Sequence, residues 1–301
     1  HVLRAVAHYG TVTAAARALH FTPSAASQQI RQLGRELGVT LLEPHGRRVR
    51  LTPSALLLLR HADAIEARWE QAEIDLRGCD EQPAGLLRVC GFASAISNLL
   101  TPLAVALQQR HPGLTVQVEE AERRDSFDLL FDGDTDLAVT EAASDNPPVR
   151  DARFDQQPLL DDPFDLLVPT DHRFADGKRI GLDEASGERW IVSTAVGTCR
   201  EQTFAACIGA GFTPDVVHNA LEWHAIANMV AAGLGVSLVP RLAHLAPHLP
   251  VRRVQLTGNP RPARKLLTCT RAGARGDATV VAALDELSRI AAEVCLDPVA
   301  A

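Results

Sequence analysis

Thr13-Ala-Ala-Ala-Arg-Ala-Leu-His-Phe-Thr-Pro-Ser-Ala-Ala-Ser-Gln-Gln-Ile-Arg-Gln-Leu33 reads as two short helices joined by a tight turn. Thr13 caps a first, alanine-rich helix that runs to Leu19, and His20 and Phe21 make the turn. Thr22 then caps a second helix with Pro23 at its first position, where a missing N–H costs nothing. Within that helix Ala26, Ile30, Leu33 and Leu37 recur at helical spacing and predict one buried stripe. Ser24, Ser27, Gln28 and Arg31 are left for other faces. Short polar groups on a helix of this kind can meet base edges and phosphates in a major groove.

The flanks extend this helix-turn-helix into a winged one. Residues 1–9 carry Val2, Leu3, Val6 and Ala7, the stripe of a supporting helix, and the chain opens inside it, so a few residues are expected to precede His1. After the helix stop at Leu37-Gly38 comes His45-Gly46-Arg47-Arg48-Val49-Arg50-Leu51-Thr52. Three arginines about a glycine turn, between two short extended runs, have the pattern of a β-wing; an ordinary basic loop is the alternative. Pro53 then opens a helix to about Arg77 whose apolar positions Ala55, Leu58, Ala62, Ile65, Trp69, Ala72 and Leu76 form a heptad seam. Such a seam either packs within its own domain or dimerises. No second helix of matching pattern lies nearby, and residues 79–85 read as a hinge, which favours a dimerising linker over residues 54–78 behind a DNA-binding domain of residues 1–53.

Charge divides the chain in the same place. The net charge of the 301 residues is -7, but residues 1–60 hold eight arginines against Glu36 and Glu43 only, leaving 22 basic and 35 acidic residues for the rest. One end is built to meet phosphate. No apolar run is long enough to cross a bilayer, no signal peptide opens the chain, and six scattered cysteines without a CxxC pair predict free thiols, so the expected location is the cytoplasm. Nucleophile-elbow, P-loop and zinc-protease motifs are absent, Pro247 interrupts His244-x-x-x-His248, and Gly233-x-Gly235 reads as a helix stop leading into a strand. No catalytic role, cofactor or metal is expected.

From Leu86 the texture becomes alternating strands and helices: strands at 86–91, 114–120 and 136–140, then 164–169, 190–193, 215–218, 236–240 and 266–270, with helices between them and a last helix over 277–295. The pattern predicts an effector region over 86–301, built of lobe I (about 86–158 and 265–297) and lobe II (about 159–264). A ligand cleft is expected between the lobes at the carboxyl ends of strands.

These features together resemble the LysR-type transcriptional regulators. The likeness rests on Ala15-Ala16-x-x-Leu19, Ala25-x-Ser27-x-Gln29-Ile30-x-x-Leu33, Leu37-Gly38-x-x-Leu41 and Arg47-x-Val49-x-Leu51-Thr52, and further along on His111-Pro112-Gly113-Leu114, Gly133-x-x-Asp136-Leu-Ala and Val230-Ala-Ala-Gly233-Leu-Gly235-Val-x-Leu-Val-Pro240. It implies an α+β multidomain protein: a winged helix-turn-helix, a long linker helix, and an effector domain of two α/β Rossmann-like lobes similar to periplasmic binding proteins. It also implies homodimers, paired into homotetramers, on double-stranded DNA at an interrupted palindrome, controlled by a small-molecule effector, a carboxylate or amino acid. Thr13, Thr22, Ser24, Ser27, Gln28, Arg31, Arg47, Arg48 and Arg50 are the expected DNA-binding residues. Pro23 stands where most members have Gln, which shifts base reading onto Ser24, Ser27 and Gln28; Gly34, Leu42 and Pro44 replace a common Glu, Phe and Arg. Carried over by position, the effector would meet Ser94, Ser97, Arg123, Thr140, Glu141, Thr194, Thr198 and Trp223. Two alternatives stay open: a thiol redox switch at Cys199 and Cys207, where a peroxide-sensing member has its cysteines, and a solute sensor whose DNA binding is weakened.

Overall fold

Thr11, rather than Thr13, caps the second helix. Gly10 ends α1 (Val2–Tyr9) in the left-handed region at φ 75°, so the next residue is already extended and its hydroxyl accepts from the Ala14 amide at 3.1 Å. Thr13 therefore sits exposed inside α2 (Val12–Ala18). His20 makes the turn at φ 56°, and Thr22 caps α3 (Pro23–Leu37) by accepting from the Ala25 amide at 3.2 Å. Ala15, Ala16, Ala26 and Ile30 are buried with Val2, Leu3 and Val6. Leu37 is 50% exposed, against expectation, and Gly34 takes its place on the buried face. The chain after Gly38 folds back so closely that a Cβ on Gly34 would lie 2.7 Å from the Val39 carbonyl oxygen.

The wing is an antiparallel pair, β1 (Leu42–His45) and β2 (Arg48–Leu51), with Glu43 opposite Arg50. Thr52 then starts α4 (Pro53–Arg77): its hydroxyl accepts from the Ala55 amide and donates to the Thr40 carbonyl at 2.6 Å. Ala55 and Leu59 are buried, so the first turns of α4 pack on the helix-turn-helix rather than continuing the seam, whereas Ile65, Trp69 and Leu76 are exposed.

The computed structural model describes residues 1–45, 48–77, 82–193, 198–258 and 261–296. They fall into two units, one of His1–Asp80, Asp151–Asp155 and Arg271–Asp277, the other of Glu81–Arg150, Gln156–Thr270 and Ala278–Ala301. In the first unit Arg4 ties α1 to α4 through Asp63 at 2.7 Å and Glu66 at 3.0 Å. Arg271 pairs with Glu70 at 2.9 Å, and Gly273, at φ 91°, lies directly against the Ala67 carbonyl.

The second unit runs β3 (Gly85–Gly91), α5 (Ala93–Ala95), a π-helical turn at Ile96–Leu100, α6 (Thr101–Arg110), β4 (Leu114–Glu120), α7 (Arg123–Asp132), β5 (Leu137–Glu141) and β6 (Phe154–Pro169). It continues with β7 (Arg189–Ser193), α8 (Thr198–Gly209), β8 (Asp215–Ala220), α9 (Trp223–Ala231), β9 (Ser237–Pro240), β10 (Val251–Gln255), β11 (Ala263–Arg271) and α10 (Ala278–Leu296). The strand order is β10-β6-β11-β5-β3-β4, with β9 also beside β6. β3 runs parallel to β4 and β5, as the βαβ pattern predicts, while β11, β9 and β10 enter antiparallel and β7 runs parallel to β8 in a separate pair, with a further parallel bridge from Trp190 to Val236. β6 begins ten residues earlier than expected, because its first half, with Asp155, Gln156, Gln157 and Asp161, lacks the apolar alternation that marks a strand. β10 escapes a sequence reading for the same reason.

The sheets and helices enclose separate hydrophobic clusters, of which two are the largest among the described residues. One holds Leu87, Leu99, Leu103, Val139 and Leu287; the other holds Phe164, Trp190, Val236 and Leu238. β6 lends Leu159 and Leu160 to the first and Leu166 and Val168 to the second, so one continuous strand links both lobes.

Candidate functional site

On the first unit, Ser27, Gln28 and Arg31 of α3 line one groove of about 890 Å³ together with Arg35 and the wing residues Pro44 and Val49. The spacing of one helical turn that the sequence shows is what aligns these side chains. The Ser24 hydroxyl lies 3.0 Å from that of Thr22 and belongs to the helix cap. Arg50 forks onto Glu43 across the wing, through Nε at 2.8 Å and Nη2 at 2.5 Å, so its charge is already partnered. Arg47 and the Arg48 side chain lie outside the described residues.

The second unit gathers its polar groups where the lobes meet. Arg264 of β11, itself buried, donates to Asp162 of β6 and to the Ser94 hydroxyl, each at 2.7 Å, and its guanidinium stacks over the Phe92 ring. Asp162 also accepts from the Leu242 amide at 3.0 Å, and Asn98 donates to the Leu242 and Ser94 carbonyls at 2.8 Å. Burial raises the Asp162 carboxyl above its ordinary range despite the Arg264 charge. Ser94, expected to meet the effector, is thus buried within a network, and Ser97 spends its hydroxyl on the Ala93 carbonyl at 3.0 Å. Thr140 and Glu141 stand at the carboxyl end of β5, and α8 approaches them: Ser144 donates to Glu201 at 3.4 Å, and Glu141 is close enough to Cys199 to act on its thiol. Trp223 instead packs on the core of α9 beside Ile226 and Val230. Thr194 and the side chains of Arg123 and Thr198 lie outside the described residues.

Residues 80–292 match the model of the LysR substrate binding domain, and residues 1–56 match that of the bacterial regulatory helix-turn-helix proteins of the lysR family. The chain belongs to the LysR family of transcriptional regulators. Among its relatives is the hydrogen peroxide-inducible genes activator of Dickeya chrysanthemi, 29% identical over 242 residues that span 80% of this chain and 77% of the relative. The fold is shared with an OxyR mutant of Corynebacterium glutamicum, at TM-score 0.62 and 22% identity over 97% of this chain and 90% of that one. It is shared too with HinK, a LysR family regulator of Pseudomonas aeruginosa, at TM-score 0.60 and 21% identity over 96% of each chain. The protein is accordingly a DNA-binding transcriptional regulator modulated by an effector, with a helix-turn-helix at its amino end and the family's substrate-binding domain behind it.

In this LysR-type chain the two candidate redox cysteines are poorly set for oxidation. Burial, and then the charge of Glu141, push the Cys199 thiol up to about 12, overriding the help a helix start gives a thiolate; burial alone takes Cys207 to about 12. Both sit on α8, eight residues apart, which at helical rise separates them by about 12 Å. A disulfide needs Cα atoms within about 7 Å, so a bridge requires α8 to unwind. Sequence reasoning missed Asp162 and Arg264 because charged residues on strands that look ordinary give no signal until the strands are paired.

Proposed function

We propose that α3 enters the major groove of a DNA duplex, with Ser27 and Gln28 reading base edges and Arg31 and the wing on phosphates. The observation that supports this is the single groove into which Ser27, Gln28 and Arg31 converge with the wing strands. The exposed seam Ile65, Trp69, Ala72 and Leu76, with Leu58 and Ala62 at its root, joins two copies, and dimers pair into tetramers on an interrupted palindrome. Residues 1–53, 54–78, 79–85 and 86–301 act as reading domain, linker, hinge and effector domain. A small molecule held between the lobes shifts their arrangement through unequal affinity for two states, by binding rather than catalysis. Among the described residues no helix is long and apolar enough to cross a membrane, and a regulator of this kind works in the cytoplasm, where its DNA is.

A gel shift with a fragment of its own promoter tests the reading. Specific binding should weaken steeply with salt and should fall for Arg31→Ala, the loss of one phosphate contact reducing the salt slope by about one. Salt-insensitive absence of binding would leave only a solute sensor.

A further inference from the structure

Leu242 reaches from one lobe into the other. The chain around it, just after β9, belongs to lobe II, yet its side chain is buried in the lobe I core with Phe92, Leu99, Leu100 and Leu103. Of the described buried residues in that core, Leu242 alone comes from lobe II. Its neighbours Val239 and Ala243 pack instead with Ile191 and Ile226 in a cluster of lobe II. The turn that carries it is held stiffly to that lobe. Arg241 forks onto Asp165 of β6 at 2.7 and 3.1 Å, and its amide donates to the Pro163 carbonyl at 2.9 Å. Arg253 of β10 donates to the carbonyls of Pro240, at 3.1 Å, and of Ala243. A rigid turn with one apolar side chain sunk in the opposite core is a peg.

Both backbone groups of the peg are clasped as well. The Leu242 N–H donates to Asp162 Oδ1 at 3.0 Å, and the Leu242 carbonyl accepts from Asn98 Nδ2 at 2.8 Å. Asp162 is held by Arg264 where β6 and β11 lie side by side, and Arg264 in turn donates to Ser94 of lobe I. Asn98 stands in the π-helical turn Ile96–Leu100 and also ties back to the Ser94 carbonyl. Such turns are rare and recur at functional sites. A buried ion pair is seldom a net gain in stability over apolar side chains of the same size. Its directional bonds do what packing cannot: they fix where the Leu242 amide stands relative to Ser94.

We propose that Leu242 is a withdrawable pin between the lobes: seated, it holds them at one mutual angle, and drawn out of the lobe I core it lets them take a second arrangement. The proposal rests on the reading that the effector acts by shifting the lobes. Close-packed cores switch between discrete packings rather than deform continuously, so a peg seated or unseated supplies the two states that such a shift needs. An effector that touches both lobes acts by favouring one of the two.

The joint is read in the full-length protein from spin labels on p-acetylphenylalanine in place of exposed Gln108 on α6, in lobe I, and exposed Ala205 on α8, in lobe II. Labelled subunits are diluted with excess unlabelled ones, so that pulsed dipolar spectroscopy reports distances within one chain. Wild type should give one narrow distance. Leu242→Ala should add a second population, and Asn98→Ala, which leaves every core side chain in place, should add a smaller one. Leu103→Ala opens a cavity in the same core and should lower Tm as Leu242→Ala does, but keep the single distance. A single narrow distance in both Leu242→Ala and Asn98→Ala overturns the pin, as does a second population in Leu103→Ala as large as in Leu242→Ala. If Leu242→Ala does not fold, Asn98→Ala against Leu103→Ala decides in the same way. Loosened lobes with operator affinity and footprint unchanged from wild type keep the pin and overturn the reading that lobe arrangement governs DNA binding.

Discussion

Arg153 donates to the His8 ring at 2.8 Å, joining α1 to a residue 145 positions further along the chain. The same guanidinium holds Asp151 through Nε at 2.9 Å and Nη2 at 2.7 Å, and Phe154 lies beside both the His8 ring and the guanidinium. Residues 151–155 lead directly into β6, whose far half carries Asp162. A segment continuous with the effector domain is thus part of the unit that reads DNA.

Arg153→Ala leaves a buried histidine and a carboxylate without this partner, and should cost about 2 kcal/mol of the first unit's stability at neutral pH. Burial alone would raise the Asp151 carboxyl, but the hydrogen bonds from Arg153 outweigh it and hold it below the ordinary range. A depressed carboxyl adds stability that is complete above its unfolded value, near pH 3.9, and is lost as pH falls through the folded value. The difference between wild type and variant, read from urea midpoints, should therefore shrink below about pH 4. Equal midpoints at pH 7 would show that the contact carries no stability.

Gly34→Ala is a substitution whose sign geometry decides. In an open helix interior alanine is better than glycine by about 1 kcal/mol. Here the added methyl meets the backbone oxygen of Val39 at 2.7 Å, and backbone held by the return of the chain at Gly38 cannot step aside cheaply. The expected outcome is a net loss of about 1 to 2 kcal/mol, and DNA affinity should fall too, since Gly34 lines the same groove as Arg31. A higher Tm for the variant would contradict the packing described.

How much of this was legible in the residues follows from what each element depends on. The helix-turn-helix and wing were readable because caps, turn and stripe lie within a few residues of each other, and the slip from Thr11 to Thr13 is a boundary error between two competing caps. The seam was readable as a pattern, but not its start, because Ala55 and Leu59 pack on residues far back in the chain. The polar groups where the lobes meet were half legible: Thr140 and Glu141 sit at a predicted strand end, whereas Asp162, Arg264 and Asn146 come together only once β5, β6 and β11 lie side by side.

The outer part of α4 offers a dimer test. Ile65, Trp69 and Leu76 are 69%, 64% and 82% exposed, a row of large apolar side chains on one helical face. Trp69 is steadied from within its own helix by a hydrogen bond from Nε1 to Glu73 at 2.9 Å, leaving its ring for a partner. Ile65→Glu with Trp69→Glu should convert dimers to monomers by light scattering after size exclusion, while circular dichroism stays unchanged. Dimers of undiminished affinity would mean that another face joins the copies.

The cysteines give the sharpest division between the two modes of control. With both thiols raised to about 12, less than about one part in ten thousand is thiolate at pH 7.5, and the thiolate is the species peroxide oxidises. Alkylation of Cys199 and Cys207 by iodoacetamide at that pH should be slower than that of a free model thiol by about three orders of magnitude, since such a thiol has a pKa near 8.5. Brief peroxide treatment should leave both reduced by mass spectrometry, with unchanged operator binding. A Cys199–Cys207 disulfide formed within minutes would require α8 to unwind and would make oxidation, rather than a ligand in the cleft, the signal that this regulator reads.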